Sequence, residues 1–116
     1  MLPAKNRLNK KKDFNRVFKK GKALKEDFLI LKYVKTENKQ IKFGFIVSKK
    51  VAKKATIRNK VKRVLRELIR ARMPRAKKGI DVVLIGLPGI EKKEFLEVEK
   101  TIEKLFKKAN IYEPNR

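Results

Sequence analysis

The segment from Arg58 to Glu67, RNKVKRVLRE, concentrates side chains that bind phosphate: five of its ten residues are basic and one is acidic. Lysine and arginine donate charge-assisted hydrogen bonds to phosphate oxygens. The apolar residues among them, Val61, Val64 and Leu65, are spaced like the buried stripe of an α-helix. This pattern predicts a helix that has one side in the protein core and the other side against a polyanion.

The residue types that most often perform catalysis are missing from the sequence. It contains no histidine and no cysteine, which removes the commonest acid–base group and the thiolate nucleophile. The acids Asp13, Asp27 and Asp81 are scattered and lack the spacing of a metal site, and we expect Asp81 to cap or pair locally. We therefore assign neither a catalytic nor a metal-binding residue. The absence of cysteine fits a reducing compartment, and we expect a cytoplasmic protein.

The net charge of +23 comes from 35 basic and 12 acidic residues, and it is unevenly distributed. Residues 1–78 hold 28 basic and 5 acidic residues, whereas residues 79–116 hold seven of each. Self-repulsion on this scale destabilises a compact chain, so we expect a polyanionic partner for the first two thirds of the sequence. Hydrophobic residues make up 41% of the 116 residues, which indicates one folded domain, residues 1–116, and not a disordered basic tail.

Three apolar segments are predicted to be β-strands. Residues 27–35 (DFLILKYVK) and 41–48 (IKFGFIVS) alternate between two faces, and the polar turn between them predicts that they pair as a hairpin. Residues 80–87 (IDVVLIGL) form an almost unbroken apolar run, which is typical of a strand buried on both faces. Residues 22–25 are a candidate for a short edge strand.

The first and the last predicted helices each have one apolar face. Residues 9–20 are expected to form the first, with Asn9 as N-cap and Gly21 as the C′ residue. Residues 92–109 are expected to form the last, a structural cover whose outer face mixes glutamate and lysine. Its predicted buried stripe consists of Phe95, Val98, Ile102, Leu105, Phe106 and Ala109.

The long helix is predicted over residues 56–72, with Thr56 as N-cap and Pro74 beyond its end. At about 100° per residue, its apolar side chains span an arc of about 140°. The residues on the opposite arc are Asn59, Lys62, Arg63, Arg66 and Arg70. Glu67 is the only acid in these seventeen residues, whereas a solvated helix face normally mixes both signs of charge. We therefore favour phosphate binding over a merely solvated surface.

The order of the predicted elements is α-β-β-β-α-β-α, if the edge strand is included. A strand that follows the long helix requires this helix to cross over the sheet. We therefore predict an α/β (α+β) two-layer sandwich, in which a mixed sheet of about four strands is packed by helices.

Residues 47–70, VSKKVAKKATIRNKVKRVLRELIR, resemble the signature segment of the bacterial ribonuclease P protein subunit. RLNKKKDFNRVFKKG upstream and GIDVVLIGLPG downstream are similar to the family's opening helix and late strand. The resemblance implies a ribosomal-protein-S5-domain-2-like fold and a basic partner of a catalytic RNA that cuts the 5′ leader from precursor tRNA. Mg²⁺ held by the RNA would supply the catalysis. The protein itself would bind no cofactor and need neither a membrane nor a protein partner.

The resemblance also implies which residues touch RNA. Those expected to contact the catalytic RNA are Lys53, Lys54, Arg58, Asn59, Lys60, Lys62, Arg63, Arg66 and Arg70. Those expected to contact the single-stranded leader of precursor tRNA are Phe14, Phe18, Leu31, Tyr33, Ser48, Lys49 and Lys50. Phe14 and Phe18 are equally well explained as core residues, because aromatic residues at helical spacing usually are core. Three positions depart from the family pattern. This chain has Lys60 where the family has arginine, Ala52 where the family commonly has glycine, and Leu87 where the family often has a basic residue.

Other functions fit the charge of the sequence less specifically. A structural RNA-binding protein of the ribosome or of its assembly has the same electrostatics, and only the segment around the long helix separates it from the first hypothesis. A duplex DNA binder would place this helix in the major groove, but strands flank it on both sides, so no helix-turn-helix is formed. A membrane-surface helix would need the apolar arc that the core already uses.

Overall fold

The structure, a computed structural model, describes residues 2–113 of the chain. Its helices and strands are, in chain order, α1 (Lys11–Lys20), β1 (Lys22–Glu26), β2 (Leu29–Lys35), β3 (Ile41–Val47), α2 (Ala55–Arg72), β4 (Ile80–Gly86) and α3 (Phe95–Ala109). The predicted α/β sandwich with a mixed four-stranded sheet is confirmed, and the candidate edge strand is present as β1. No helix in the described residues is long and apolar enough to span a membrane.

The sheet has the strand order β1-β2-β4-β3, which places β4 in its interior. β4 pairs antiparallel with β2 and parallel with β3. The predicted hairpin between residues 27–35 and 41–48 is therefore wrong, because β4 separates these two strands. Six of the seven residues of β4 are buried, and only an interior strand has both faces covered and both edges hydrogen-bonded.

The connections follow from this strand order. α2 joins the parallel neighbours β3 and β4, so the long helix crosses over the sheet as predicted. The hairpin that does form joins β1 to β2 through a tight turn, in which Asp27 has a φ of 52°. Aspartate tolerates this left-handed conformation better than most residues do. Residues 27–28 therefore form a turn and not the start of the predicted strand.

The two faces of the sheet pack against different helices. The core face carries Leu31, Phe43 and Leu84 and packs against α2 and α3, where Phe43 stacks on Phe106 with ring centres 6.1 Å apart. The opposite face, which we call the open face, packs against α1 through a smaller cluster around Val83. Because α1 has only ten residues, it covers part of the open face and leaves the rest accessible.

A buried arginine joins α2 to α3. Arg72 is 6% exposed and donates to Oε1 of Glu103 at 2.7 Å and to Oε2 of Glu99 at 3.1 Å. The hydroxyl of Tyr112 donates to Glu103, and burial together with this hydrogen bond raises the pKa of Tyr112 to about 12. The sequence placed both glutamates on the solvent side of the last helix. They face α2 instead, because a buried guanidinium needs carboxylate partners.

The predicted N-caps of the first two helices are wrong. Asn9 precedes the cap position of α1, which Lys10 occupies, and Thr56 lies inside α2, whose cap position is Lys54. Neither helix has a side-chain cap hydrogen bond. The N–H of Ile57 donates to the carbonyl oxygen of Lys54 at 3.2 Å, and the N–H groups before it lack a capping side chain.

α3 begins three residues later than predicted. Glu94 and Glu97 form a reciprocal capping box, which fixes the first turn at Phe95. Phe95 is 50% exposed and does not belong to the buried stripe in which the sequence placed it. The periodicity of the stripe is correct, but the first turn of α3 extends past the edge of the core.

Gly21 follows α1 as predicted, but for a different reason. Its φ is −80°, so it does not form a left-handed cap. A Cβ at this position would lie 2.4 Å from the carbonyl oxygen of Val17 and 2.8 Å from that of Tyr33. Glycine is needed because the chain passes close to two backbone segments where it enters β1.

Asp81 is a buried acid beneath α1. Its side chain is 1% exposed, and it lies between Val34 and Lys42 on the open face. The guanidinium of Arg16 is 3.7 Å from one of its carboxylate oxygens and 2.6 Å from Asp13. The other oxygen, Oδ1, has no hydrogen-bond partner among the described residues. Burial raises the pKa of Asp81, and the charge of Arg16 offsets this only in part.

Replacing Asp81→Asn should raise the free energy of unfolding at pH 7. The folded-state pKa of Asp81 lies above its ordinary value of 3.8, so the folded protein favours the protonated acid and loses stability as the pH rises through that pKa. The higher stability of Asp81→Asn should disappear near pH 3, where Asp81 is protonated in both the folded and the unfolded protein. Denaturant unfolding of both proteins at the two pH values measures the difference.

The matched control for this prediction is Asp13→Asn. Asp13 pairs with the same arginine from the first turn of α1, where a negative charge is favourable. This control should lower the stability at pH 7 by up to about 1 kcal/mol. A lower stability of Asp81→Asn at pH 7 would contradict the prediction.

Candidate RNA-binding surfaces

The solvent side of α2 and the loop before it carry the expected phosphate-binding residues. We call this surface the cationic face; it consists of Lys53, Lys54, Arg58, Asn59, Lys60, Lys62, Arg63, Arg66 and Arg70. Six of the nine are exposed, and Arg58, Lys62 and Arg66 are half-buried. Behind them, Val61 is 8% and Leu65 0% exposed. Packing of the apolar stripe therefore holds the cations outward.

Arg58 holds the basic loop that precedes α2. Its Nη1 donates to the carbonyl oxygen of Lys53 at 2.6 Å and to that of Ala52 at 2.9 Å. These hydrogen bonds use part of the guanidinium and fix the loop backbone next to the start of α2. Arg58 is therefore a positioning residue as well as a candidate phosphate ligand. Sequence reasoning missed this role, because the positions of loop carbonyl groups do not follow from residue type.

The open face of the sheet is uncovered beside α1. Ile30, Ile85 and Ile46 lie side by side on β2, β4 and β3, and each is only half-buried. α1 forms a wall next to this apolar floor, and we call the space the cleft. Sequence reasoning missed the three isoleucines, since each looks like an ordinary strand residue. Only the strand order brings them into one row.

Phe14 and Phe18, which the sequence left open between core and cleft, have different environments. Phe14 is half-buried and packs over Gly44, where a Cβ would lie 2.5 Å from its Cζ. Residue 44 must therefore be glycine for the ring to pack against β3. Phe18 is 38% exposed, and Nζ of Lys32 lies 5.0 Å from its ring centre. The wall of the cleft thus presents one accessible aromatic ring next to a cation.

Ser48, Lys49 and Lys50 are exposed at the carboxyl end of β3. A turn here is closed by two hydrogen bonds: the N–H of Val51 donates to the carbonyl oxygen of Ser48 at 3.1 Å, and the N–H of Lys50 donates to the Ser48 Oγ at 3.3 Å. Val51 is 5% exposed and anchors this turn in the core. Two lysines are therefore held at the end of the strand that contributes Ile46 to the floor.

A hollow of about 290 Å³ at the outer edge of β3 lies between α1 and α2. Phe14 and Phe45 supply its aromatic lining, and Arg7, Lys62 and Arg66 supply cations. One residue expected to contact the leader, Phe14, therefore lines the same space as two residues expected to contact the catalytic RNA, Lys62 and Arg66. The hollow connects α1, the wall of the cleft, with the cationic face.

Leu31 and Tyr33 do not belong to the cleft. Leu31 is 0% exposed on the core face, so its assignment as a leader contact is wrong: an RNA strand does not reach it. Tyr33 lies on the same core face and lines a different groove. Strand alternation predicts which residues share a face of the sheet, but it does not predict which face remains uncovered.

These surfaces offer hydrogen-bond donors, positive charge and apolar platforms. Within residues 2–113, no three histidine, cysteine, aspartate or glutamate side chains lie close enough together to hold a metal ion. The arrangement is suited to binding a phosphate backbone and unstacked bases.

The family model described as Ribonuclease P matches residues 2–110 of the sequence. This chain belongs to the ribonuclease P protein family. The ribonuclease P protein component of Syntrophomonas wolfei is 38% identical over 115 residues, which cover 99% of this chain and 96% of the relative. The component of Caldanaerobacter subterraneus is 35% identical over 107 residues, with coverage of 92% and 91%. The resemblance found in the motifs is thereby confirmed over nearly the whole chain.

Solved ribonuclease P proteins have the same fold. The Staphylococcus aureus protein superposes with a TM-score of 0.85 at 26% identity, covering 93% of this chain and 98% of that one. The Thermotoga maritima protein gives a TM-score of 0.79 at 31% identity, with coverage of 87% and 97%. This chain therefore has the α/β sandwich of the family.

Proposed function

We propose that this ribonuclease P protein binds the catalytic RNA of ribonuclease P through the cationic face and holds the single-stranded 5′ leader of precursor tRNA in the cleft. It thereby assists the endonucleolytic cut that removes the leader and gives the mature 5′ end of the tRNA. The observation that carries the proposal is the hollow between α1 and α2, where Phe14 lies beside Lys62 and Arg66. One protein surface can hold both RNAs next to each other.

The cationic face has the length and polarity that a phosphate backbone requires. α2 has eighteen residues and is about 27 Å long. Arg63 and Lys60 are exposed on it, and the N–H groups at its start lack a side-chain cap. Helix N-termini and arginine side chains are both favourable phosphate ligands.

The cleft has the properties that suit a single strand of any sequence. The isoleucine floor and the ring of Phe18 offer contact to base faces, and stacking of this kind selects no particular base. Lys32 and Lys50 add positive charge beside the wall and at the end of β3. A protein that acts on many precursors needs this tolerance, because their leaders differ in sequence.

In this proposal the chemical step belongs to the RNA. The catalytic RNA would hold the Mg²⁺, which would supply the hydrolytic chemistry when bound. The protein binds no metal of its own in this scheme. Its lysines and arginines replace part of the counterion atmosphere that two associating RNAs otherwise require.

Reconstitution tests the proposed function. At low Mg²⁺, the protein should increase cleavage of precursor tRNA by the ribonuclease P RNA, because its cations lower the repulsion between the two RNAs. Protein without RNA should cleave nothing. Assays with RNA alone, protein alone and both together measure this. Cleavage by repurified RNA-free protein, or no effect on the RNA, would refute the proposal; the second result would favour a structural role in the ribosome.

Arg63→Ala with Arg66→Ala should weaken binding to the catalytic RNA without unfolding the protein. Two lost phosphate contacts should lower the affinity by about 5–30-fold and reduce the slope of log K against log salt by up to about 1.8. The control is Lys100→Ala with Lys104→Ala, two exposed lysines of α3, which removes the same charge. Filter binding at several salt concentrations compares the two double variants. Equal effects of both would exclude the cationic face as a specific binding surface for the catalytic RNA.

Phe18→Ala with Lys50→Ala should weaken binding of precursor tRNA, but not of mature tRNA, which has no leader. Loss of one stacked base alone corresponds to about 1–3 kcal/mol. The control is Phe95→Ala with Lys100→Ala, since Phe95 is a phenylalanine exposed on α3. Affinities of both tRNAs for the holoenzyme, measured with thermal melts of each variant, decide the question. Equal weakening of both tRNAs with unchanged melts would place the leader elsewhere.

A further inference from the structure

A second basic groove lies at the other end of the sheet from Lys49 and Lys50. It is found where β2 ends and β4 begins and has a volume of about 440 Å³. We call it the lysine groove; its polar lining is Lys20, Lys22, Lys35, Lys77, Tyr33 and Asn110. The cleft and the cationic face account for none of these side chains.

The floor of the lysine groove is the part of the core face that α3 leaves uncovered. In the strand register Lys22 pairs with Tyr33 and Lys35 pairs with Ile80, and strand alternation places all four on the core face. α3 ends before Asn110, which has a φ of 56° and turns the chain away. A half-buried tyrosine ring and two strand lysines therefore remain open at this end of the sheet.

The charges of the lysine groove are not balanced from within the protein. No acidic residue lines it, and within residues 2–113 none of its four lysines has a carboxylate oxygen within 4.0 Å. The dipole of α1 accounts for Lys20, which lies in the last turn of this helix. It does not account for Lys22, Lys35 or Lys77, which lie outside the helices. Like charges around one concave space are stabilised when an anion enters it.

The lysine groove is separate from the cleft in both position and orientation. Seven residues of β-strand span about 23 Å, which is the approximate distance between the two ends of the sheet. The cleft lies on the open face, whereas Tyr33, Lys35 and Ile80 of the lysine groove lie on the core face. Val34 lines the groove from the open face and Lys20 from the end of α1, so the groove surrounds the end of the sheet. The part of a leader that lies on the isoleucine floor is therefore not the segment that lies across the lysine groove.

We propose that the lysine groove binds a phosphate-backbone segment of the catalytic RNA, distinct from the segment on the cationic face. The lysines contact phosphate oxygens, and the edge of the Tyr33 ring contacts a sugar or base. The protein is then held by the catalytic RNA at two ends of its sheet. This inference rests on the proposed function, since it takes the ribonuclease P RNA as the partner.

Paired substitutions test the lysine groove. Lys22→Ala with Lys35→Ala removes two exposed strand lysines and should lower the affinity for the catalytic RNA by about 5–30-fold, with a salt slope reduced by up to about 1.8. Lys100→Ala with Lys104→Ala, which removes the same charge, should change the affinity less than twofold. Equal effects of the two pairs, with unchanged thermal melts, would overturn the inference.

Tethered cleavage locates the RNA segment. The sequence has no cysteine, so Lys35→Cys carries a single iron chelate that cuts nearby RNA through hydroxyl radicals. In the holoenzyme, the chelate should cut the catalytic RNA at nucleotides different from those cut from Arg63→Cys. Cuts confined to the leader of precursor tRNA, or no cuts above background, would overturn the inference.

The two proposals fail in different ways. If Arg63→Ala with Arg66→Ala also leaves binding to the catalytic RNA unchanged, and reconstitution gives no cleavage, the proposed function is wrong. If these arms behave as expected and only the lysine-groove variants behave like their control, the proposed function stands and this inference is wrong.

Discussion

The strand β4 is the constraint on which the rest of the structure depends. Its apolar side chains need cover on both faces, so it occupies an interior position between β2 and β3. This position requires a crossover by α2 and keeps the two flanking strands apart. It also aligns Ile85 with Ile30 and Ile46, so that one buried strand builds the floor of the cleft.

The core face of the sheet contributes most of the hydrophobic core, and the open face contributes the cleft. On the core face, α2 and α3 enclose most of the buried side chains, including Phe43 and Phe106. The Arg72 network with Glu99 and Glu103 joins the two helices at their polar edge. Because this face supplies the main core, the open face is left with the short helix α1 as its cover, and the remainder of the open face is accessible.

Charge and packing act in opposite directions in this chain. A net charge of +23 opposes compaction, and the hydrophobic core offsets that repulsion in the free protein. Association with RNA neutralises the surplus and therefore stabilises the fold as well as the complex. The mixed charges of α3 are consistent with this division, since that helix carries both lysine and glutamate and lies away from the cationic face.

The sequence by itself determined the elements, the fold class, the family and the outward direction of the cationic face. The periodicity of a helix or strand indicates which of its residues share one side of that element. It did not determine that β4 separates β2 from β3, that Leu31 is buried or that three isoleucines form a row. These depend on which strands are neighbours and which face each helix covers, and local patterns do not encode either. The lysine groove is of the same kind, because its lysines lie far apart in the chain and line one space only in the tertiary structure. The role of Arg58 depends on the fold of the loop before α2, since its carbonyl partners lie only five and six residues before it.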